Sequence, residues 1–143
     1  MYFFLLENAY ILQDANDRTR FSVRMEYRIL GQFERIFVPN LHFFREDGTC
    51  AFLVHAGNAK GVRPGEYSAE CHVQANFLND GLYSVRVGSA SFDNGVFAHF
   101  YDRGLLTFSV RDPIDGVVTR AGYAGPIVGS VRPFMPWTLK PIN

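Results

Sequence analysis

The chain has 143 residues and a formal net charge of zero, with 48% hydrophobic and 15% aromatic residues. That is enough for one domain to bury a full core without cross-links or metals. Zero net charge removes the electrostatic case for a nucleic-acid partner or an anionic membrane surface. Short apolar starts at Tyr2–Leu6 and Ala9–Leu12 open the chain. They fall short of the ~20 residues of a membrane helix. They also lack the basic residue that precedes the apolar run of a secretory leader.

Strict alternation follows. Phe21, Val23, Met25, Tyr27 and Ile29 are apolar, while Ser22, Arg24, Glu26 and Arg28 are polar, which predicts a half-buried strand. From Phe37 to Arg45, Leu41 and Phe43 share one face and Asn40, His42 and Phe44 the other. Asp47-Gly48 signals a hairpin into a strand from Cys50 to His55. Gly57–Gly65, with Pro64, reads as a loop. Ala69, Cys71, Val73 and Ala75 then alternate with Glu70, His72, Gln74 and Asn76.

The turn Leu78-Asn79-Asp80-Gly81 feeds a strand whose apolar face is Tyr83, Val85 and Val87 and whose polar face is Ser84 and Arg86. Asp93-Asn94-Gly95, Val96–Tyr101, Asp102-Arg103-Gly104 and the strand of Leu106, Phe108 and Val110 complete the pattern. Nothing long has a helical period. The expected fold is all-β, an immunoglobulin-like antiparallel β-sandwich.

From Asp112 the composition shifts to Gly and Pro. A proline-punctuated segment cannot be a central strand, but it suits an edge strand or an arm. Its apolar groups, Ile127, Val128, Phe134 and the single tryptophan Trp137, need a surface to bury on, in this molecule or in a second one. The domain expectation is a single unit over 1–143, with the sandwich core in 1–111 and a C-terminal arm in 112–143.

The motifs of catalysis are absent. The sequence has no Gly-x-x-x-x-Gly-Lys-Ser/Thr loop, no Gly-x-Gly-x-x-Gly, no Gly-x-Ser-x-Gly and no His-Glu-x-x-His. His42, His55, His72 and His99 fall in different strands and read as rim or surface histidines rather than metal ligands. Cys50 and Cys71 are expected to be buried and free, since two thiols make no disulfide framework, and a cytoplasmic location fits. No cofactor, metal or catalytic residue is expected. Phe44 is an outward aromatic on a sheet. It is either covered by a loop or the tail, or it forms part of a binding platform.

Several pieces occur together in order: Asn40-Leu-His-Phe-Phe-Arg-Glu-Asp-Gly48, Leu78-Asn-Asp-Gly-Leu-Tyr83, Leu106-Thr-Phe-Ser-Val110 and Gly129-Ser-Val-Arg-Pro-Phe-Met-Pro-Trp137. Over roughly the whole chain they resemble the C-terminal carbohydrate-binding domain of Wzt-type ATPase subunits, from the ABC transporters that export O-antigen polysaccharides. The resemblance implies a non-catalytic module that recognises the non-reducing end of a finished glycan and couples that recognition to export. It implies a homodimer in which the terminal segment pairs with the partner's sheet. It also implies an ATPase domain and a membrane subunit as partners, at the cytoplasmic face of the bacterial inner membrane. The family's ATPase motif is not in this sequence.

Sugars present apolar C–H faces and a rim of hydroxyls. They call for an aromatic platform flanked by planar polar partners on a rigid sheet, and an acidic sugar adds a need for Arg or Lys. Alternation offers two faces. One carries His42, Phe44, Ser84, Arg86, His99 and Tyr101; the other carries Arg24, Arg28, Glu70, His72, Gln74 and Asn76. The first, with aromatics beside a cation, is the expected carbohydrate site. The competing readings are a structural or adhesive sandwich that binds no sugar, and a small β-fold enzyme pairing a histidine with a carboxylate.

Overall fold

A computed structural model describes residues 4–16, 20–31, 33–56, 59–74, 77–92, 96–101, 106–111, 125, 127–131 and 135–142, with backbone alone for 33–36, 59–62, 91–92 and 96–101. Among these residues the structure is all strand: β1 (Phe4–Gln13), β2 (Phe21–Ile29), β3 (Phe33–Arg45), β4 (Cys50–His55), β5 (Ala59–Val62), β6 (Gly65–Val73), β7 (Gly81–Phe92), β8 (Val96–Tyr101) and β9 (Leu106–Val110). One sheet runs β1-β2-β6; the other runs β4-β3-β7-β8, with β5 also on β3 and β9 also on β7. Every pairing is antiparallel.

The two sheets face each other across an aromatic core, which makes the fold the expected sandwich. Phe21 of β2 packs 4.4 Å from Phe108 of β9 and 6.4 Å from Phe43 of β3, centroid to centroid. Phe4 and Tyr27 of the first sheet lie 5.5 and 5.8 Å from Phe37 of the second. Val23, Met25, Ile29, Leu41, Val85, Val87 and Val110 fill the space between them and are buried. Each such side chain contributes about 1.5–3 kcal/mol by leaving water.

Three local expectations are corrected. The opening is one strand, not two. A register shift between Leu6 and Asn8 changes which parity faces inward, from Phe4 and Leu6 to Ala9 and Ile11, so a continuous strand mimics two short runs. Part of the expected 57–65 loop is strand β5, paired with an N-terminal extension of β3. The short segment Ala59-Lys60-Gly61-Val62 has no alternation of its own to announce it. Cys50 is exposed rather than buried, and Cys71 is half-buried; both are free thiols. Burial pushes the Cys71 thiol pKa up. The expected turns at 93–95 and 102–104 lie outside the described residues.

Two turns match their sequence signals. Gly48 ends the β3–β4 turn at φ +86°, where a left-handed backbone favours glycine. Asp47 Oδ1 accepts from the Thr49 amide at 3.0 Å and from its hydroxyl at 2.6 Å. Those bonds hold the Asp47 carboxyl below its usual range. Gly81 starts β7 at φ +153°, a backbone angle that side chains rarely adopt.

Candidate functional site

Strands β3 and β7 are neighbours, so His42, Phe44, Ser84 and Arg86, four of the six residues expected on one face, do meet. His42 sits opposite Arg86 and Phe44 opposite Ser84. The Arg86 guanidinium carbon lies over the Phe44 ring, 5.4 Å from its centroid. The His42 and Phe44 rings are near-parallel at 15°, with centroids 6.4 Å apart. All four side chains are half-buried. Phe44 is therefore neither sealed in nor fully bare: it is half-buried, with the Arg86 guanidinium against its ring. Around it the register sets Cys50 opposite Phe44, Leu53 opposite His42 and Thr107 opposite Ser84.

The electrostatics of this face are one-sided at its centre. The His42 pKa is lowered, first by burial and then by the like-signed Arg86 and His55. A neutral imidazole at pH 7 both donates and accepts, which suits a hydroxyl. Asn40 shares the face but is buried, contrary to the alternation reading, and its Oδ1 has no hydrogen-bond partner among the described residues. Val38 and Ala90, at the same parity, are buried too, so this end of the sheet is covered on both faces. The open platform is the half nearer the β3–β4 turn.

The other two residues expected here are placed by backbone alone. Tyr101 pairs with Gly88, two residues along β7 from Arg86. His99 falls at the register shift between the Ala90–Ala98 and Ser89–Phe100 pairs and has no directly opposed residue.

The outer face of the three-stranded sheet is different in kind. Arg28 bridges Glu7 and Glu66, at 2.9 Å each. Arg24 reaches Glu70 at 3.7 Å, and His72 contacts the same carboxylate at 3.5 Å. At one end a broad depression of about 640 Å³ is lined by Gln13, Arg20, Ser22, His72 and Gln74 among others. Asn76 lies outside the described residues. Among the described residues no three His, Cys, Asp or Glu side chains cluster as a metal site.

Two further features escaped sequence reasoning. Between the edges of β4 and β6 a cleft of about 240 Å³ opens into the core, walled by Val23, Met25, Leu41, Val54, Ala69 and Cys71. A second hollow of about 250 Å³ shares Val54 and Cys71 and extends the seam to Phe52 and Phe77. No local pattern marks it, because its walls come from four strands.

The other feature is a clasp. Asn79, buried in the turn before β7, donates from Nδ2 to the carbonyls of Ile127 and Gly129, the latter at 2.8 Å. Its amide donates to Ser130 O at 3.0 Å. The Tyr83 hydroxyl donates to Asn79 O at 2.7 Å and contacts Ser130 O at 3.1 Å. Leu78 forms a β-bridge with Val131.

The arm thus divides. Residues 127–131 are tied to their own sandwich, with Ile127 half-buried, although Val128 points away at 93% exposure. Beyond them Met135, Trp137, Leu139 and Ile142 are exposed, Trp137 at 85%. Phe134 lies outside the described residues. Among the described residues no helix is long and apolar enough to cross a membrane.

Fold and face together define an antiparallel β-sandwich that presents an aromatic–cation platform on one sheet and a neutralised ion-pair network on the other. Among solved structures, the chain is similar to the crystal structure of the C-terminal domain of wzt. The TM-score is 0.72, with 98% of this chain and 86% of that one covered, at 10% sequence identity. No family model matches the sequence, and no curated protein matches it. The fold is therefore that of the Wzt C-terminal domain, the one its sequence pieces resemble.

Proposed function

We propose that this chain is a non-catalytic carbohydrate-binding module, which recognises the non-reducing terminus of an O-antigen polysaccharide and couples that recognition to export by an ABC transporter. The observation that carries the reading is the Phe44–His42–Arg86–Ser84 platform, on a fold shared with the Wzt C-terminal domain. A half-open aromatic ring can take the apolar face of a pyranose. The imidazole, the Ser84 hydroxyl and the guanidinium then supply donors and acceptors for its hydroxyls. Its partners in this reading are the glycan, an ATPase domain and a membrane subunit, at the cytoplasmic face of the inner membrane.

The arm gives the reading its second half, a homodimer. Met135, Trp137 and Leu139 alternate with Pro136, Thr138 and Lys140, which is a strand-like apolar edge left in water. The seam between β4 and β6 is apolar and bounded by two sheet edges. Residues 135–142 of a second copy fit its chemistry and would cover an edge that no described strand pairs with. Static light scattering at micromolar concentration should report a dimer. Deleting the chain after Val131, which keeps the Asn79 clasp, should give a monomer. A monomeric full-length chain refutes the exchange.

The central test is a calorimetric titration with the host's own O-polysaccharide, repeated on Phe44→Ala and Arg86→Ala. The expected result is saturable binding that both variants weaken. Unchanged affinity in both folded variants moves the site to the depression near Gln13 and His72. No binding by the parent chain favours the structural, non-sugar-binding sandwich.

A further inference from the structure

Resting on the carbohydrate reading, we propose that the depression at the end of β1-β2-β6 is a second saccharide site, for an uncharged sugar unit, separate from the Phe44–Arg86 face. The register builds it. Leu12, Ser22 and His72 stand abreast on the three strands, Leu12 opposite Ser22 and Ser22 opposite His72. The Asp14 amide donates to the Arg20 carbonyl at 3.1 Å, which carries the β1–β2 pairing past the strand ends. The period of two then sets Asp14, Arg20 and Gln74 on the same side as that row. All six line one hollow of about 640 Å³, within the roughly 300–1,000 Å³ typical of small-ligand sites.

The floor of the hollow carries a hydroxyl. Ser22 is only 7% exposed, and its side chain has no hydrogen-bond partner among the described residues. A buried hydroxyl left unbonded costs free energy, and a sugar hydroxyl can both donate to it and accept from it. The rest of this sheet face is taken up by its own contacts. Arg24 and Arg28 meet carboxylates there, and the network ends at the rim of the hollow, where His72 touches Glu70 at 3.5 Å. Arg20 lies beyond that network and has no ion pair among the described residues.

The lining also sets the class of ligand. Gln74 brings a planar amide with donors and an acceptor, which matches the paired hydroxyls of a sugar rim. Asp14 and Arg20 bring opposite formal charges to the same hollow, so it offers no net charge for an anion or a cation to follow. Leu12 is apolar yet 47% exposed, and it gives the C–H face of a sugar ring a surface to cover. A neutral, hydroxyl-rich ring uses all of these groups at once.

The test is an amide NMR titration of the whole chain with short oligosaccharides cut from the host's own O-polysaccharide. The two sites lie on the outer faces of different sheets, so one sugar unit cannot touch both and their shifts are read separately. The amides of Arg20, Ser22, His72 and Gln74 should shift saturably, and should still do so in Phe44→Ala. Arg20→Ala and Gln74→Ala, both at exposed positions, and Ser22→Ala should each weaken this site by about three- to tenfold, with thermal melts confirming that the variants are folded. Added salt should leave its affinity unchanged, and a steep loss with salt overturns the uncharged ligand. Shifts confined to the Phe44–Arg86 face, or shifts in the depression that none of the three variants alters, overturn the second site and leave the carbohydrate reading standing. Shifts on neither face remove both.

Discussion

The two outer sheet faces of this sandwich carry similar residue types and do opposite things with them. On β1-β2-β6, each arginine is met by a carboxylate from the neighbouring strand, and the face closes on itself as a network of exposed ion pairs. On the β3–β7 pair, Arg86 lies on a phenylalanine and faces a histidine. Exposed ion pairs add little stability, because solvent screens them and ordering two long side chains costs entropy. An aromatic–cation stack beside a half-buried histidine instead sets a charge against an apolar ring. The difference teaches that composition does not separate an ion-paired face from one that stacks a cation on an aromatic ring. What separates them is which residue the register places opposite each charge.

The comparison stands on a shared core, so the strongest way to break it is there. Phe43 is fully buried and touches Phe21, Phe52 and Phe108. Phe43→Ala should cost about 3–5 kcal/mol in urea unfolding and take both faces with it. A loss under 1 kcal/mol would mean that the sheets do not depend on this contact.

The next effect is on binding. Phe44→Ala and Arg86→Ala should each weaken glycan affinity by about 1–3 kcal/mol, read by calorimetry, with little change in unfolding midpoint. The matched control is Arg28→Ala on the opposite face. It should leave affinity unchanged and lower stability by no more than about 1 kcal/mol, since its partners are exposed. Equal losses of affinity at Arg28 and Arg86 would erase the distinction between the faces.

The smallest effect is pH dependence. The folded His42 imidazole holds its proton less well than an unfolded one, whose pKa is about 6.5. The unfolded chain therefore takes up a proton first as pH falls, and stability should decline from neutral pH down into the lowered His42 range. His42→Gln should flatten that slope in thermal melts at pH 7 and pH 5.5. The Asp47 contribution is separable. Its lowered pKa gives stability that is present above the ordinary carboxylate range and lost only in more acidic solution. An unchanged slope in His42→Gln would show that burial, with Arg86 and His55 beside it, does not hold this imidazole below its ordinary value.

Much of this could be read from residues alone. Strict alternation in Phe21–Ile29 and Tyr83–Val87 fixed which side chains face the core, because a strand has period two and one buried face. Asp-Gly pairs marked the starts of β4 and β7, because few other residues accept the backbone angles those turns need. The same parity put Phe44, His42 and Arg86 outward before any coordinates, and the sequence pieces resembled the fold that the backbone proved to share. Where a bulge swapped parity in β1, or where β5 had too few residues to show a period, local reading failed.

Tertiary structure alone decided everything that depends on pairing between distant segments. It set Arg86 over Phe44 and opposite His42, because those contacts follow from the β3–β7 register and not from either strand. It buried Asn40 by covering the second face of its sheet end, and opened the seam between β4 and β6. It also turned Asn79 from a turn residue into the clasp of the arm, through carbonyls up to 50 positions further along the chain. Alternation determines which way a side chain points, since that is set by the residue's own backbone. What it then touches is set by the free energy of packing two sheets and an arm together, and no local stretch of sequence contains that sum.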